Sequence, residues 1–317
     1  MRNRLVRRRS RTLALAGALW GASLVGPPTA AVPSQPAGPG KTFTADGATL
    51  WYEVRGPERG RPLIVVNGGP GFDHGYLLVS EVWDRLARSR PVVLYDQRGN
   101  GRSSPLAEGS ATTLLDQIGD LDRLREALGR DEIDLLGHSW GGYLAMAYAA
   151  AHPHRVSHLL IVDSAAPKWS DTEFIFHYVY PETVERQNRF DALAALGDPD
   201  GAKASLEAYL SMLCVSAEHT AELLAAAPRL DFSPEVNAAL NADLANRDLW
   251  PLLPTFTMPT VVVTGRFDIN VAPSTAWKIH KAIPGSRFAV FEKSGHLPFF
   301  EEPDAFVALV ESFLAED

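Results

Sequence analysis

The chain has 317 residues, of which 46% are hydrophobic and 21% are charged, and it contains one cysteine. A chain of this length and composition can bury a large core, which excludes fibrous and disordered proteins, and a single cysteine excludes an internal disulfide. The formal net charge of −8 argues against partners such as nucleic acid or anionic membranes, because both recruit positive surface.

The N-terminus has the order of a secretory signal peptide. Six arginines and no acidic residue lie in the first dozen positions, and the apolar run 13–25 follows them. This run is too short to span a bilayer comfortably, and small residues follow at 29–31. We therefore predict a signal peptide over residues 1–31, cleaved most simply after Ala31; the alternative interpretation is an uncleaved anchor helix.

Two consequences follow from that signal. Export by the Sec route, or by the twin-arginine route through an adjacent arginine pair, predicts a secreted or periplasmic protein without stable membrane association after cleavage. Cleavage would take the formal net charge from −8 to −14. Residues 32–41 are rich in proline and glycine and are predicted to be a linker.

From residue 42 onward, predicted strands and helices alternate, as a parallel α/β sheet requires. Short apolar runs between turn residues predict strands, and apolar residues at helical spacing predict helices. The first group of elements is a hairpin (42–45 and 50–54), strand 63–66, helix 79–87, strand 92–95, helix 114–128, strand 133–136, a helix from 141 and strand 159–162. The last group is strand 260–264, helix 273–283, strand 288–291 and helix 303–314.

Between these groups the pattern changes to helical runs rich in alanine and leucine, without a buried strand. We predict a helical cap over residues 166–253, inserted into an α/β core formed by residues 42–165 and 254–317. The histidines and the cysteine of the cap lack metal-ligand spacing and are interpreted as structural: His177, Cys214 and His219.

The segment 137–141 (G-H-S-W-G) lies at a predicted strand-to-helix corner. It has the pattern of a nucleophile elbow, G-x-S-x-G, in which a strained turn exposes the serine hydroxyl and the glycines let strand and helix pack closely. The same pattern can occur by chance in a glycine-rich loop, but the flanking strand and helix favour the functional interpretation. Ser139 is therefore the predicted nucleophile.

An acid and a histidine follow in the order that an α/β-hydrolase arrangement requires. Asp268 and His296 each come directly after a predicted strand. Ser139 would attack a carbonyl, His296 would transfer the proton, and Asp268 would orient the imidazole. Asp163, also at a strand end, is the competing acid. This mechanism needs no metal or organic cofactor, and the sequence signals none.

Two further loops are predicted to support this site. Segment 67–71 (N-G-G-P-G) follows a buried strand, and the N–H of Gly69 is a predicted oxyanion donor, with the N–H of Trp140 as the second. The other interpretation of this loop is a plain tight turn. In the next loop, Asp96 and Arg98 are predicted to brace the site by charge-assisted hydrogen bonds rather than to take part in catalysis.

Several motifs together resemble the proline iminopeptidase family of α/β-hydrolase serine peptidases. They are N-G-G-P-G at 67–71, D-Q-R-G-N-G-R-S at 96–103, G-H-S-W-G-G at 137–142, G-R-F-D at 265–268 and G-H at 295–296. The likeness covers nearly all of the chain after the linker. It implies a mixed sheet with flanking helices and a helical cap, and the release of an N-terminal residue, typically proline, from a peptide.

The resemblance also implies that cap carboxylates bind the free amine of the substrate. The candidates are Glu173, Glu182, Glu185 and Glu207. Two positions depart from the family: Asn67 stands where histidine is usual, and Ile269 follows the acid where some relatives have a carboxylate.

Three hypotheses for the function follow. The first is a serine aminopeptidase or amidase that prefers proline. The second is a carboxylesterase or lactonase with the same triad and no amine anchor. The third, a binding protein on a hydrolase scaffold, conflicts with an intact triad. The expected partner is a small peptide, amide or ester substrate, with no nucleic acid.

Overall fold

The computed structural model describes residues 40–316. The predicted signal peptide, and the linker up to residue 39, therefore lie outside the described residues. The first strand begins at Lys41, one residue before the predicted start of the core. Within the described range, no helix has the length and apolarity that crossing a bilayer requires.

Eight strands of the described chain form one sheet in the order β1-β2-β4-β3-β5-β6-β7-β8. The first pair is an antiparallel hairpin that joins β4, and all other neighbours are parallel, so the predicted α/β fold with a mostly parallel sheet is confirmed. The strands are β1 (Lys41–Ala45), β2 (Ala48–Arg55), β3 (Leu63–Val66), β4 (Val92–Tyr95), β5 (Ile133–His138), β6 (Val156–Val162), β7 (Thr260–Gly265) and β8 (Arg287–Phe291).

The helices flank the sheet or form the segment between β6 and β7. The α-helices of residues 40–316 are α1 (Val82–Leu86), α2 (Leu114–Ala127), α3 (Trp140–Ala151), α4 (Phe176–Val179), α5 (Pro181–Ala195), α6 (Pro199–Leu210), α7 (Ala217–Ala226), α8 (Pro234–Leu244), α9 (Pro273–Ala282), α10 (Pro298–Glu301) and α11 (Pro303–Leu314). Helices α4 to α8 lie between β6 and β7, within the segment 166–253 that was predicted to form the cap and is called the cap below.

One predicted helix differs from the structure. In place of a helix over 79–87, a 3-10 helix spans His74–Val79 and α1 begins only at Val82. The reason is local: the Asp73 carboxylate caps the 3-10 turn by accepting the N–H of Gly75, and Ser80 is extended, which ends that turn. Periodicity alone cannot locate such a break.

The core has two apolar layers, one on each face of the sheet. In β3, Ile64 and Val66 pack with α2 and α3, whereas Leu63 and Val65 pack with α1 and α11. This explains why β3 is continuously apolar rather than alternating. The parallel strands therefore end along one buried edge, where the loops that follow them meet.

The cap is hydrogen-bonded to the loop after β3 through a junction segment, residues 231–237. The N–H of Ser233 donates to the carbonyl of Gly71 at 2.8 Å. The Asn237 side-chain amide donates to the carbonyl of Pro70 at 2.8 Å. The junction segment thus fixes the cap against the loop that was predicted to hold an oxyanion.

Asp73 is a buried carboxyl at the same junction. Its backbone N–H donates to the carbonyl of Asp231 at 3.1 Å, and its Oδ1 accepts the N–H of Gly75 at 3.1 Å. Burial first, and then the charge of Asp96, raises the pKa of Asp73 to about 7.

A second attachment joins the cap to the loop after β8. The N–H of His296 donates to the carbonyl of Leu213 at 2.8 Å. The Glu301 carboxylate accepts the N–H of Val215 at 2.6 Å with one oxygen and the N–H of Gly295 at 2.7 Å with the other. The cap therefore contacts both loops that carry predicted catalytic groups.

Candidate active site

Ser139 lies at a strained corner between β5 and α3. Its backbone adopts φ 58° and ψ −121°, a conformation that residues other than glycine rarely adopt. The glycines around it are sterically required: a Cβ on Gly137 would lie 2.2 Å from the carbonyl oxygen of Gly141, and one on Gly141 would lie 2.1 Å from that of Val66. The G-x-S-x-G spacing is therefore a packing requirement of this corner.

His296 and Asp268 form a buried pair at the ends of β8 and β7. The Nδ1 of His296 is 2.8 Å from the Oδ2 of Asp268, and the two residues are 3% and 1% exposed. The other carboxylate oxygen of Asp268 accepts the backbone N–H groups of Asn270 at 2.8 Å and Val271 at 3.0 Å. The bond to Asp268 occupies Nδ1 and leaves the Nε2 of His296 as the ring nitrogen for the pocket.

Ser139 and His296 line one pocket. Among the described residues, no hydrogen bond joins the Ser139 hydroxyl to the imidazole of His296. Such contacts are often long in the absence of substrate and tighten when it binds. The structure thus brings together all three residues predicted for the triad, with the acid–histidine bond already formed.

The two predicted oxyanion donors are both near Ser139, because Gly69 lines the same pocket and Trp140 is the next residue in the chain. The N–H of Gly68 donates to the hydroxyl of Tyr76 at 2.5 Å, whereas the N–H of Gly69 donates to no group among residues 40–316. Trp140 is the first residue of α3, so its N–H has no acceptor within the helix. Gly69 and Trp140 are therefore the amides available to a developing negative charge.

A hydrogen-bonded chain that the sequence did not reveal links the oxyanion loop to the histidine loop. The Tyr76 hydroxyl lies 2.7 Å from the Nδ1 of His138, and the Nε2 of His138 lies 2.8 Å from the carbonyl oxygen of His296. Burial first, and then the charge of His296, lowers the pKa of His138 well below its usual value. A neutral His138 accepts from Tyr76 and donates to His296, which satisfies each group. The elbow pattern leaves this position unspecified, so no sequence signal pointed to it.

Gln97 joins the oxyanion loop to the elbow. Its side-chain amide donates to the backbone and side-chain oxygens of Asn67 at 2.9 and 3.1 Å, and its own oxygen accepts the indole N–H of Trp140 at 2.9 Å. Asn67 in turn donates to the carbonyl of Phe72 at 2.8 Å. Asparagine therefore braces the loop at the position where the family usually has histidine.

Asp96 and Arg98 make the bracing contacts that were expected of them. Asp96 accepts from the Nδ1 of His74 at 2.6 Å, and Arg98 donates twice to Asp120, at 2.9 and 2.5 Å. Burial alone would raise the pKa of Asp96, but the charge and hydrogen bond of His74 outweigh it and lower this pKa. Neither side chain lines the pocket.

The pocket itself is apolar. It is partly open to solvent, and no acidic or basic side chain other than histidine lines it in the described part of the chain. The Tyr76 hydroxyl is already bonded to His138, and the Tyr209 hydroxyl accepts from Asn270 at 3.1 Å. The lining residues are Gly68, Gly69, Phe72, Tyr76, His138, Ser139, Tyr209, Leu210, Leu213, Leu223, Leu230, His296 and Leu297.

None of the four glutamates considered as amine anchors lines this pocket. Glu173 bonds Lys278 and Ser274, each at 2.5 Å, and these bonds lower its pKa. Glu182 and Glu185 are exposed on α5. Glu207 lies on α6, with its carboxylate 3.9 Å from the Lys203 ammonium.

Asp163, the competing acid, lies beside the pair rather than within it. No hydrogen bond joins it to His296, but one carboxylate oxygen each of Asp163 and Asp268 and one ring nitrogen of His296 all lie within 4.8 Å of one another. No other set of three His, Cys, Asp or Glu side chains in residues 40–316 is grouped so closely. Asp268 and His296 bond each other, and backbone amides donate to one oxygen of each aspartate.

The remaining cap histidine and cysteine contacts are structural in character. His219 bonds the Ser216 hydroxyl at 3.0 Å and packs on the Phe300 ring. Cys214 is buried, and burial raises the pKa of its thiol. His177 contacts the ring of its neighbour Tyr178.

Residues 61–303 match the sequence model of the α/β hydrolase fold family, and the protein belongs to that family of hydrolases. The resemblance to proline iminopeptidases is confirmed as well. The chain is 32% identical over 267 residues to the proline iminopeptidase of Heyndrickxia coagulans, a match that covers 80% of this chain and 91% of that protein.

Solved structures that resemble this protein include esterases. A thermophilic esterase from Thermogutta terrifontis matches with a TM-score of 0.68 and 26% identity, covering 87% of this chain and 98% of the esterase. An esterase from Rhodococcus sp. ECU1013 matches with a TM-score of 0.70 and 25% identity, at the same coverage. The sequence relatives and the structural neighbours thus carry two different hydrolase activities.

Proposed function

We propose that this protein is a serine hydrolase that cleaves neutral carboxylic esters or lactones with a compact apolar acyl group, using Ser139, His296 and Asp268. One observation supports this proposal most strongly. Ser139, at its strained corner, and His296, bonded to Asp268 at 2.8 Å, open on the same uncharged pocket.

The chemistry follows from these positions. The Ser139 hydroxyl adds to the substrate carbonyl carbon while its proton moves to the Nε2 of His296. The charge on the carbonyl oxygen is held by the N–H groups of Gly69 and Trp140, each worth about 2.7–4 kcal/mol in such sites. Collapse breaks the ester bond, the alcohol leaves with the proton from His296, and the acyl group stays on Ser139. Water then repeats the sequence and releases the acid.

The substrate class follows from the pocket lining. An N-terminal ammonium group placed beside Ser139 would contact leucine and aromatic side chains and lose its water without gaining a carboxylate. Burying an unpaired charge in this way costs several kcal/mol or more. A neutral ester or lactone carries no such cost, and its acyl chain buries its apolar surface against the leucines.

A second candidate is the release of N-terminal proline, and the proline iminopeptidase relatives support it. The proline ring is compact and apolar, as this pocket requires. The amine would then need a partner that the pocket lining does not supply, such as a glutamate that moves in from the cap.

The test compares three substrates with purified wild type and Ser139→Ala: p-nitrophenyl butyrate, proline β-naphthylamide and its N-acetylated form. We expect rapid ester turnover that Ser139→Ala abolishes and that Ser170→Ala, an exposed serine of the cap, leaves intact. Turnover confined to the free-amine substrate would replace the ester proposal with the aminopeptidase. Ester turnover that survives Ser139→Ala would overturn the serine mechanism.

A further inference from the structure

Asp163 is held in a strained conformation immediately after β6. Three residues other than glycine have positive φ in residues 40–316: Asp46 in the exposed hairpin turn, the nucleophile Ser139, and Asp163 at 43°. Buried strain of this kind persists only where the surrounding structure enforces it, and it concentrates at functional sites. Asp163 is 1% exposed.

The strained turn is part of the same backbone network as the nucleophile. The N–H of Ser139 donates to the carbonyl of Val162 at 2.9 Å, and the N–H of Ala165 donates to the carbonyl of Ser139 at 3.2 Å. Asp163 lies between these two attachments. Its position is therefore fixed relative to Ser139 on one side and to the loop of Asp268 on the other.

The hydrogen bonds of the two aspartates are unequal. Asp268 receives two backbone N–H groups and the imidazole of His296. Asp163 receives the N–H of Gly265 on Oδ1 at 2.8 Å, and its buried Oδ2 has no donor in the described chain. A buried oxygen without a donor, next to another carboxylate, is satisfied if it carries a proton and donates.

We propose that Asp163 is a neutral carboxylic acid whose Oδ2–H donates to the Asp268 carboxylate, and that it is a positioning residue for the Asp268–His296 pair. This rests on the catalytic roles proposed above for Asp268 and His296. Oxygens of the two carboxyl groups lie within 4.8 Å of each other, and in a buried site such proximity disfavours a second negative charge, so the carboxyl group with fewer donors is the one that holds a proton.

The electrostatic surroundings of Asp163 agree with this assignment. Burial first, and then the charge of Asp268, raises the pKa of Asp163 well above its usual value. The N–H of Gly265 and the hydroxyl of Thr264 act in the opposite direction but are outweighed. The titratable groups that face it are Asp268 from the loop after β7 and His296 from the loop after β8.

The bond has a definite effect on the catalytic base. A donor on the Asp268 carboxylate withdraws part of its negative charge and fixes the plane in which it meets His296. Without that donor, the full charge of Asp268 would face His296 and stabilise its imidazolium form. The acid limb of the pH–rate profile would then move to higher pH.

Two substitutions of Asp163 separate donation from charge. Asp163→Asn is neutral, keeps an N–H donor, and tolerates positive φ. We expect it to retain kcat/KM within about threefold and to leave the acid limb in place. Asp163→Gly removes the donor without backbone strain. We expect it to lower kcat about tenfold or more, with little change in KM, and to move the acid limb to higher pH.

Several outcomes would overturn the proposal. A downward shift of the acid limb in Asp163→Asn would show that wild-type Asp163 is ionised. An unchanged kcat and pH profile in Asp163→Gly would show that it positions nothing. The activity of Ser139→Ala and His296→Ala, measured in the same assay, tests the proposed function separately.

A spectroscopic readout requires no activity at all. At neutral pH, the infrared spectrum of folded wild type should contain the carbonyl band of a protonated carboxylic acid at Asp163. Asp163→Asn lacks this group, so the band should appear in the difference spectrum between the two proteins. Absence of that band would overturn the neutral-acid assignment whatever the enzyme does.

Discussion

The two sides of the pocket differ in kind. The side formed by the loops after β3, β5 and β8 carries Ser139 and His296, and the polar groups behind it are bonded into a network through Tyr76, His138 and Gln97. The cap side presents leucines and a tyrosine whose hydroxyl already bonds Asn270. This difference supports a division of roles in the proposed mechanism: the sheet side would carry the groups for catalysis, and the cap side would select the substrate by shape and lack of charge.

The largest expected effect is on the sheet side. His296→Ala removes the proposed proton carrier and should lower kcat/KM for a p-nitrophenyl ester by about 10⁴-fold or more. His219→Ala is the matched control, because this cap histidine bonds Ser216, packs on Phe300 and does not line the pocket. If His296→Ala and His219→Ala had equal activity, the proposal that the sheet side rather than the cap carries the catalytic histidine would be wrong.

The oxyanion loop should give the next largest effect. A Cβ at Gly69, where φ is +133°, would lie 2.6 Å from the backbone nitrogen of Gly71, so Gly69→Ala must displace the loop. We expect kcat to fall about 10²–10³-fold, the loss typical of one oxyanion donor. Gly47→Ala has similar left-handed strain at φ +84° with nothing within 4 Å, and it should keep full activity.

The boundary between the two sides should show a pH effect on stability. Folded Asp73 keeps a proton up to about pH 7, whereas the unfolded chain loses it near 3.8. Its contribution to folding is therefore complete below pH 3.8 and is lost as pH rises through about 7. Asp73→Asn should remove this pH dependence of the free energy of unfolding. Between pH 3.8 and about 7, the free energy of unfolding of the variant should therefore rise relative to that of wild type by up to roughly 4 kcal/mol. The measurement is denaturant unfolding of both proteins at several pH values. A difference in the free energy of unfolding between Asp73→Asn and wild type that stays the same at every pH would contradict the prediction.

On the cap side, changes should alter selectivity more than rate. Leu230 lines the pocket and is half-buried, and Leu230→Ala opens space there. We expect the ratio of kcat/KM for p-nitrophenyl octanoate to that for the acetate to rise about tenfold, because the longer acyl chain can then bury more of its apolar surface. Leu196→Ala, at an 84% exposed cap position, should leave the ratio unchanged.

The smallest effect is expected at the surface glutamates. Glu173 and Lys278 are about half exposed, so Glu173→Gln should cost no more than about 1 kcal/mol of stability. Turnover of the ester and of proline β-naphthylamide should not change, and Glu207→Gln should behave alike. A raised KM confined to the free-amine substrate would instead identify Glu173 as an amine anchor.

The same division explains what could be predicted from the sequence. The strands are short apolar runs between turn residues, and Ser139, Asp268 and His296 each follow one directly. Because parallel strands end at one edge of a sheet, their order along the chain was enough to bring them together. Strand and motif are both local patterns, which is why the sequence predicts this edge well.

The rest depends on which side chains point inward, and periodicity does not settle that. The cap helices are rich in alanine and leucine on most faces, so nothing in the sequence distinguishes Leu223 and Leu230, which line the pocket, from Leu193 and Leu196 on the surface. His138 and Gln97 lie within recognisable motifs, but their bonds join loops distant in sequence. Asp163 could be predicted only as a rival acid, because a sequence shows no pairing between two carboxyls.

The attachments of the cap constrain how such an enzyme can change its substrate. Ser233 and Asn237 hold the backbone beside Gly69, and Leu213 holds the backbone of His296. A substitution that shifts these cap segments to admit a new acyl group would also shift Gly69, the proposed oxyanion donor, and His296, the proposed proton carrier. Exchange of caps between relatives would therefore alter the turnover rate together with the substrate specificity. Evolved variants with a new specificity would need compensating substitutions at these few backbone contacts to recover the original turnover rate.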